Sequence, residues 1–138
     1  MYLLDVNALL ALGIVEHEFH GPTELWVKKA AADHATFASC AMTELGFLRV
    51  LLHGPYGVFT LAQGQRNLRL LKSSRKYRFE FIADDQDAQQ LSPWVAWPRQ
   101  VTDGHLVALA KAHGGMLATL DQGIRGAFFI PRKVMKGN

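Results

Sequence analysis

The sequence lacks the segments that would place a protein in a membrane or in an oxidising compartment. No apolar run reaches the roughly 18 residues of a transmembrane helix, and the start, MYLLDVNALLALGIV, has neither a basic leading region nor a small-residue cleavage site. Cys40 is the only cysteine, so no internal disulfide can form. We therefore expect a cytoplasmic protein without membrane contact, in which Cys40 is a small buried hydrophobe.

Acidic residues are missing from positions 45–79, although the whole chain of 138 residues has a net charge of only +3. Basic residues recur in this span at a helical spacing, and Arg69 and Lys76 would lie two turns apart on one side. A solvated helix face is the simpler interpretation of such a run. A surface that follows the phosphates of RNA is the functional one, and the run alone supports both equally. The predicted RNA contacts are Arg66, Arg69, Lys72 and Lys76.

Strand-like and helix-like segments alternate along the chain. Residues 2–6, ATFASC, RFEFIA and MLATL have strand patterns, and amphipathic helical patterns lie between most of them. This alternation predicts a single α/β domain over residues 1–138, with a mostly parallel central sheet and helices on both faces. Trp94 and Trp97 are expected to pack inward. Helices are expected to begin at Asn7, near Gly21-Pro22, near Thr43, at Thr60 and at Thr102.

Four acidic residues follow or flank apolar runs. Because the carboxyl ends of parallel strands share one edge of a sheet, acids placed there can converge. Two carboxylates about 4 Å apart repel by roughly 1 to 4 kcal/mol, so a cluster must take up protons or bind a cation. Oxygen ligands suit hard ions such as Mg²⁺ or Mn²⁺, which predicts metal-dependent phosphate chemistry. The acids are Asp5 after YLL, Glu44 after FASCAMT, Asp103 in QVTDGHLVALA and Asp121 after MLATL.

Each acid taken alone has a simpler explanation. Glu44 and Asp103 fall in the first turns of predicted helices, where a negative charge complements the helix dipole. Asp121 can initiate a turn. Asp5 is harder to explain in this way, because an acid that ends a buried strand needs water, a partner or a metal. The functional interpretation depends on all four occurring together.

The four acidic segments resemble the PIN-domain ribonuclease family. The series LLDVNALLAL, TELGFLRVL, TDGHLVALAKAHGG and LATLDQGI covers almost the whole chain in order, and within the family it is most similar to the VapC toxins of bacterial toxin–antitoxin pairs. Two positions depart from the family's pattern. Gly104 stands where a helix former such as Ala is expected, and Gln122-Gly123 stand where some relatives have another acid.

The resemblance implies a PIN-like three-layer α/β/α sandwich that forms homodimers. It also implies an endoribonuclease that depends on Mg²⁺ or Mn²⁺, hydrolyses RNA phosphodiester bonds with a metal-activated water, and is bound by a cognate VapB-type antitoxin. The implied metal-binding and catalytic residues are Asp5, Glu44, Asp103 and Asp121, and the implied supporting residues are Asn7 and Thr119.

Two other functions stay open for the same residues. A PIN fold without turnover would bind RNA or a partner protein, although the presence of all four acids argues against it. A phosphotransferase or phosphatase would use Asp5 as its nucleophile, but the residue two positions later is Asn7 rather than the acid usual in that phosphatase class. Zinc chemistry is not favoured, because His105 and His113 are eight residues apart instead of four.

Overall fold

The computed structural model describes residues 1–134, which form five strands, five α-helices and two short 3-10 helices. The strands are β1 (Tyr2–Leu4), β2 (Thr36–Ser39), β3 (Arg78–Phe81), β4 (Met116–Thr119) and β5 (Phe128–Phe129). The helices are α1 (Val6–Gly13), α2 (His20–Ala32), α3 (Ala41–Leu52), α4 (Leu61–Lys72) and α5 (Val101–Ala112). The 3-10 helices are Ala88–Gln90 and Pro98–Gln100. Within residues 1–134, no helix is long and apolar enough to cross a bilayer.

All five strands run parallel in the order β3-β2-β1-β4-β5. The chain builds outward from β1 to β3 on one side and later crosses to β4 and β5 on the other. The strand order therefore reverses between β1 and β4, and parallel sheets bind ligands at the carboxyl ends of strands beside such a reversal. Asp5 directly follows β1 and Thr119 ends β4, so both lie at this point.

The sheet divides the hydrophobic core into two layers, because successive strand residues point to opposite faces. One row of fully buried residues packs against helices α1 to α4, and the next row packs against α5. The two rows are Leu4, Phe37 and Ala118 towards α1 to α4, and Leu3, Ala38 and Leu117 towards α5. This arrangement is the three-layer α/β/α sandwich that was predicted.

Two helix starts differ from the expected ones. Asp5, rather than Asn7, caps α1, because the Oδ1 atom of Asp5 accepts a hydrogen bond from the backbone N–H of Val6 at 2.8 Å. Asn7 is one residue inside the helix, and its side chain turns towards β4 instead. Helix α5 begins at Val101, so Thr102 lies inside the first turn and does not cap it.

The irregular region before α5 and the last strand also differ from the prediction. Trp94 packs against the core on the α5 side as expected, but Trp97 is 65% exposed. The β5 strand has only two residues, which is too short to produce a detectable alternation. It forms because β4 offers a free edge, with Ala118 opposite Phe128 and Thr119 opposite Phe129.

Two glycines allow backbone segments to approach closely beside the acidic residues. A Cβ atom at Gly46 in α3 would lie 2.5 Å from Cγ2 of Val6, the first residue of α1. A Cβ atom at Gly104 in α5 would overlap Cγ2 of Val95. Packing therefore explains why position 104 lacks the expected helix former.

The Gly46→Ala variant is expected to lose about 1 to 3 kcal/mol of unfolding free energy, because its methyl group must displace Val6 or the start of α1. This net loss already includes the roughly 1 kcal/mol that Ala gains over Gly inside a helix. Urea denaturation measures the change. Gly21→Ala in α2 is the matched control, since a Cβ there meets nothing within 4 Å. Equal effects of the two substitutions would contradict the close approach.

Candidate active site

Asp5 is the buried centre of a hydrogen-bonded network between β1 and β4. Asp5 is only 7% exposed, and both of its carboxylate oxygens accept hydrogen bonds. Oδ1 accepts from the backbone N–H of Val6, and Oδ2 accepts from the hydroxyl of Thr119 at 2.8 Å. The backbone N–H of Asp5 donates to the carbonyl oxygen of Ala118 at 3.0 Å, which joins the two strand ends. The carboxylate is therefore held in one orientation at the edge of the sheet.

Asn7 and Thr119, the two predicted supporting residues, contact each other. The Asn7 amide Nδ2 donates to Thr119 Oγ1 at 3.1 Å, while its Oδ1 accepts from the backbone N–H of Leu120 at 3.0 Å. Thr119 Oγ1 also accepts from the backbone N–H of Asp121 at 3.1 Å. Thr119 thus links the positions of Asp5 and Asp121.

Asp5, Asp103 and Asp121 are close enough for their charges to interact. Burial raises the pKa of Asp5, the hydrogen bonds from Thr119 and Val6 lower it, and the charge of Asp121 raises it further. Burial also raises the pKa of Asp103, and the charges of Asp5 and Asp121 add to that increase. No basic residue contributes to these two pKa shifts. The three acids therefore form one negatively charged region.

Glu44, the fourth predicted acid, has a different environment. Its Oε1 atom accepts a hydrogen bond from the hydroxyl of the fully buried Ser39 at 2.7 Å, and it pairs with Nζ of Lys72 at 2.5 Å. The same Lys72 ammonium lies 5.1 Å from the ring centre of Phe81. The structure therefore brings three acids together and places the fourth against a lysine.

A divalent ion needs ligand groups that converge on one point. Within residues 1–134, no group of three or more His, Cys, Asp or Glu side chains is close enough to hold one ion. Mg²⁺ usually keeps several waters, however, and binds through one or two carboxylates together with phosphate oxygens of the substrate. One or two of the carboxylates of Asp5, Asp103 and Asp121 could hold such a hydrated hard ion, and their oxygen atoms do not suit a soft metal.

The four predicted RNA-contact residues do not form one row. Arg69 and Lys72 line a groove between α3 and α4, with a volume of about 580 Å³, that also contains Glu44. Arg66 is exposed one turn earlier on α4. Lys76 lies after the end of α4, so its expected two-turn relation to Arg69 is absent, and it lines a separate cavity.

Sequence comparison identifies the family. No protein-family model matches the chain. Ribonuclease VapC38 of Mycobacterium tuberculosis is 36% identical over 127 residues, which cover 90% of this chain and 87% of that protein. The chain belongs to the VapC ribonuclease family. The predicted family and the predicted ribonuclease class are thereby confirmed.

Solved VapC structures share the fold. The structure of M. tuberculosis VapC20, a toxin that cleaves the sarcin–ricin loop, matches 94% of this chain and 97% of that one, with a TM-score of 0.62 and 15% identity. The structure of Rickettsia felis VapBC2, bound to a DNA fragment from its promoter, matches 93% and 96%, with a TM-score of 0.58 and 13% identity. At these identities the two structures support the fold alone, and the predicted sandwich is confirmed.

The sequence did not predict Ser39 as a residue of this VapC site, and it assigned Lys72 a different contact. Ser39 ends β2, as Thr119 ends β4, and each buried hydroxyl donates to an acid. A small polar residue at the last position of a buried strand is the signal that was available for Ser39. Lys72 was predicted to contact RNA, but its pairing with Glu44 depends on how α4 packs beside α3, for which the sequence has no local signal.

The Asp103→Asn variant is expected to be more stable than the wild type in EDTA near neutral pH. An acid whose folded-state pKa is raised destabilises the fold when it ionises. This destabilisation is absent below the ordinary pKa of 3.8 and grows as the pH rises from there through the raised folded-state pKa. The variant's advantage should therefore shrink between about pH 7 and about pH 4 in urea denaturation.

Asp33→Asn is the matched control, because Asp33 is an exposed residue at the end of α2. At neutral pH it should change the unfolding free energy by less than Asp103→Asn does. A stability of Asp103→Asn below that of the wild type at neutral pH would show that Asp103 supports the fold rather than opposing it.

Proposed function

We propose that this chain is a Mg²⁺- or Mn²⁺-dependent endoribonuclease and the toxin of a VapBC-type pair. The observation that carries the proposal is the buried Asp5 carboxylate, fixed by Thr119 and Val6 at the strand-order reversal, with Asp103 and Asp121 near enough to raise carboxylate pKa values. Such a site favours a bound cation, because ionised acids in a partly buried cluster need a counter-charge.

The chemistry divides between the ion and the protein. A bound divalent ion supplies charge neutralisation and a water that ionises near neutral pH. Asp5 would hold it together with Asp103 or Asp121 and bound waters, and Thr119 and Asn7 keep Asp5 in the required orientation. Glu44 would join them after it separates from Lys72. The products expected from the family resemblance are a 3′-hydroxyl and a 5′-phosphate.

The groove between α3 and α4 is the proposed path of the RNA strand. It brings Arg69 and Lys72 to the same surface as Glu44. A phosphate that enters the groove offers Lys72 an alternative anionic partner, so RNA binding would release Glu44 for the reaction. Substrate binding and completion of the acid site are coupled in this scheme.

The partners expected from the resemblance are a VapB-type antitoxin and a second copy of the chain, in the cytoplasm where RNA is available. The structural similarity to VapBC2 is consistent with an antitoxin partner. The exposed Leu45 and Leu52 on α3 and the exposed Leu61 at the start of α4 offer apolar surface to a partner protein.

Purified protein is expected to cut a mixed RNA substrate when Mn²⁺ or Mg²⁺ is added and to stop when EDTA removes the ion. Asp5→Asn should reduce cleavage to background while its thermal unfolding stays cooperative, because the central ligand is lost without a change in shape. Thr119→Val should lower metal affinity or activity by about 10- to 100-fold, because Asp5 loses the partner that orients it. Gel analysis of the fragments and Mn²⁺ titration give the two readouts.

The outcomes also separate the alternative functions. RNA binding without cleavage by the wild type would favour the non-catalytic binding module. Capture of a metal-fluoride phosphoryl mimic on Asp5 would favour the phosphotransferase. Cleavage that persists in Asp5→Asn would exclude Asp5 as the central metal ligand.

Binding of single-stranded RNA to the inactive Asp5→Asn protein is expected to weaken with salt, with a log–log slope of roughly −3 for about four phosphate contacts. Arg69→Gln and Lys72→Gln should each reduce the slope by about 0.7, because each removes one contact. Lys29→Gln, on the exposed last turn of α2, should leave it unchanged. Fluorescence anisotropy measures the affinities. A slope near zero would remove the groove from the RNA path.

A further inference from the structure

A basic cavity lies at the end of the sheet opposite the acid site. It has a volume of about 300 Å³, at the lower end of the range for small-ligand sites. Its walls come from the end of α2, the turn into β2 and the segment that enters β3. Because the acids follow the carboxyl ends of the strands, at least the length of β2, about 10 Å, separates them from this cavity. The polar and charged residues that line it are His34, Arg75, Lys76, Tyr77 and Arg78.

The positive charge of this cavity is not compensated by an acid. Arg75, Lys76 and Arg78 line it, and none of the described lining residues is Asp or Glu. Within residues 1–134, these three cations take part in no ion pair. Like charges held around one cavity repel, so an anion that enters it is stabilised by all three. The cavity therefore differs from the groove between α3 and α4, where Lys72 is already paired with Glu44.

His34 lines the cavity in an unusual backbone conformation. Its φ angle of 65° lies in the left-handed region, which side chains other than glycine rarely adopt. Among residues 1–134 it is the only non-glycine residue with a positive φ. A glycine is common at this position just after a helix, and strained side chains concentrate at binding sites. The strain keeps an imidazole at the cavity, and both ring nitrogens of a protonated imidazole can donate hydrogen bonds to an anion.

The cavity is continuous along the chain with the proposed path of the RNA. Ser73 lines the groove between α3 and α4, and Arg75, two residues later, lines the cavity. The segment between them is held in place by Tyr77, whose hydroxyl donates to the carbonyl oxygen of Leu71 at 2.8 Å. A wall that is fixed before the ligand arrives lowers the entropy cost of binding. An RNA strand that leaves the groove at this end therefore meets a preformed basic cavity.

We propose that this cavity binds a phosphate of the RNA substrate other than the one that is cleaved. The inference rests on the proposed ribonuclease function. RNA carries a phosphate at every nucleotide, so a strand held in the groove can place a second phosphate in the cavity. Arg75 and Arg78 suit this ligand, because a guanidinium can donate two parallel hydrogen bonds to phosphate. Inorganic phosphate has the same chemistry, and the dependence on RNA length distinguishes the two sources.

The affinity for RNA of increasing length tests the proposal. The inactive Asp5→Asn protein in EDTA is titrated by fluorescence anisotropy with oligouridines of about 4 to about 20 nucleotides, which covers the usual range of single-strand sites. Adding Arg75→Gln and Arg78→Gln together should weaken binding of the longest RNA by about 10-fold, the loss expected for two exposed charge contacts. The salt slope should fall by about 0.7, because one phosphate contact is lost. Binding of the shortest RNA should not change, because it does not reach the cavity.

Lys29→Gln with Lys111→Gln is the matched control. It removes the same amount of charge from exposed positions on α2 and α5 that do not line the cavity. It should leave the affinity unchanged at every RNA length. Urea denaturation verifies that both double variants unfold cooperatively.

A titration with inorganic phosphate tests the cavity without RNA. The NMR signals of the His34 imidazole should shift and saturate as phosphate is added to Asp5→Asn protein, but not when chloride is added at equal ionic strength. The variant with Arg75→Gln and Arg78→Gln should lose this shift. His34→Asn should weaken binding of the longest RNA by about 3- to 5-fold, and it should fold normally, because Asn tolerates the left-handed conformation.

The outcomes separate this inference from the proposed function. An equal loss of affinity at every RNA length would place Arg75 and Arg78 beside the cleaved bond and overturn a remote site. A saturating phosphate shift without any loss of RNA affinity would show an adventitious ion only and overturn RNA as the ligand. Wild-type protein that cleaves no RNA with Mn²⁺, but whose binding shows the expected length dependence, would overturn the ribonuclease and support the cavity as an RNA contact.

Discussion

The buried carboxylate of Asp5 is the constraint on which the rest of the site depends. Ending a central strand with an acid that is 7% exposed is unfavourable unless each oxygen finds a donor. The backbone of α1 and the hydroxyl of Thr119 provide these donors. Because Thr119 belongs to β4, the same bonds join the two strands at the reversal of strand order. The acid is thus both the cap of the first helix and the centre of the proposed metal site.

Charge is distributed around this centre in separate regions. No basic residue is among the causes that raise the pKa values of Asp5 and Asp103, which lie near Asp121, whereas Glu44 is paired with Lys72. The first region attracts a cation. The second joins Glu44 to the basic groove through Lys72, so that in the proposed scheme a phosphate of the RNA would compete with Glu44 for this lysine. The proposed metal site and the proposed substrate groove would therefore influence each other through a single ion pair.

The sequence predicted more of the acids' neighbourhood than of the basic surface. Asn7 and Thr119 were expected as supports at strand ends, and they meet there. Lys76 was expected on the same side of a helix as Arg69. Helix α4 ends at Lys72, however, although basic residues continue beyond it. Composition reports which charges are present along a segment. It does not report where the last helical hydrogen bond forms, which depends on the packing of Tyr77 and its hydrogen bond to the carbonyl of Leu71.

The sequence by itself determined the family and the alternation of strands and helices, and it predicted four candidate acids, because each of these depends on local residue type and spacing. Only the tertiary structure decided that Asp5 caps α1, that three acids gather while Glu44 pairs with Lys72, and that His34, Arg75 and Arg78 line one cavity. These relations join residues that are far apart in the chain. Their distances are set by the parallel register of β1 and β4 and by the packing of helices on the sheet, and no local pattern encodes them.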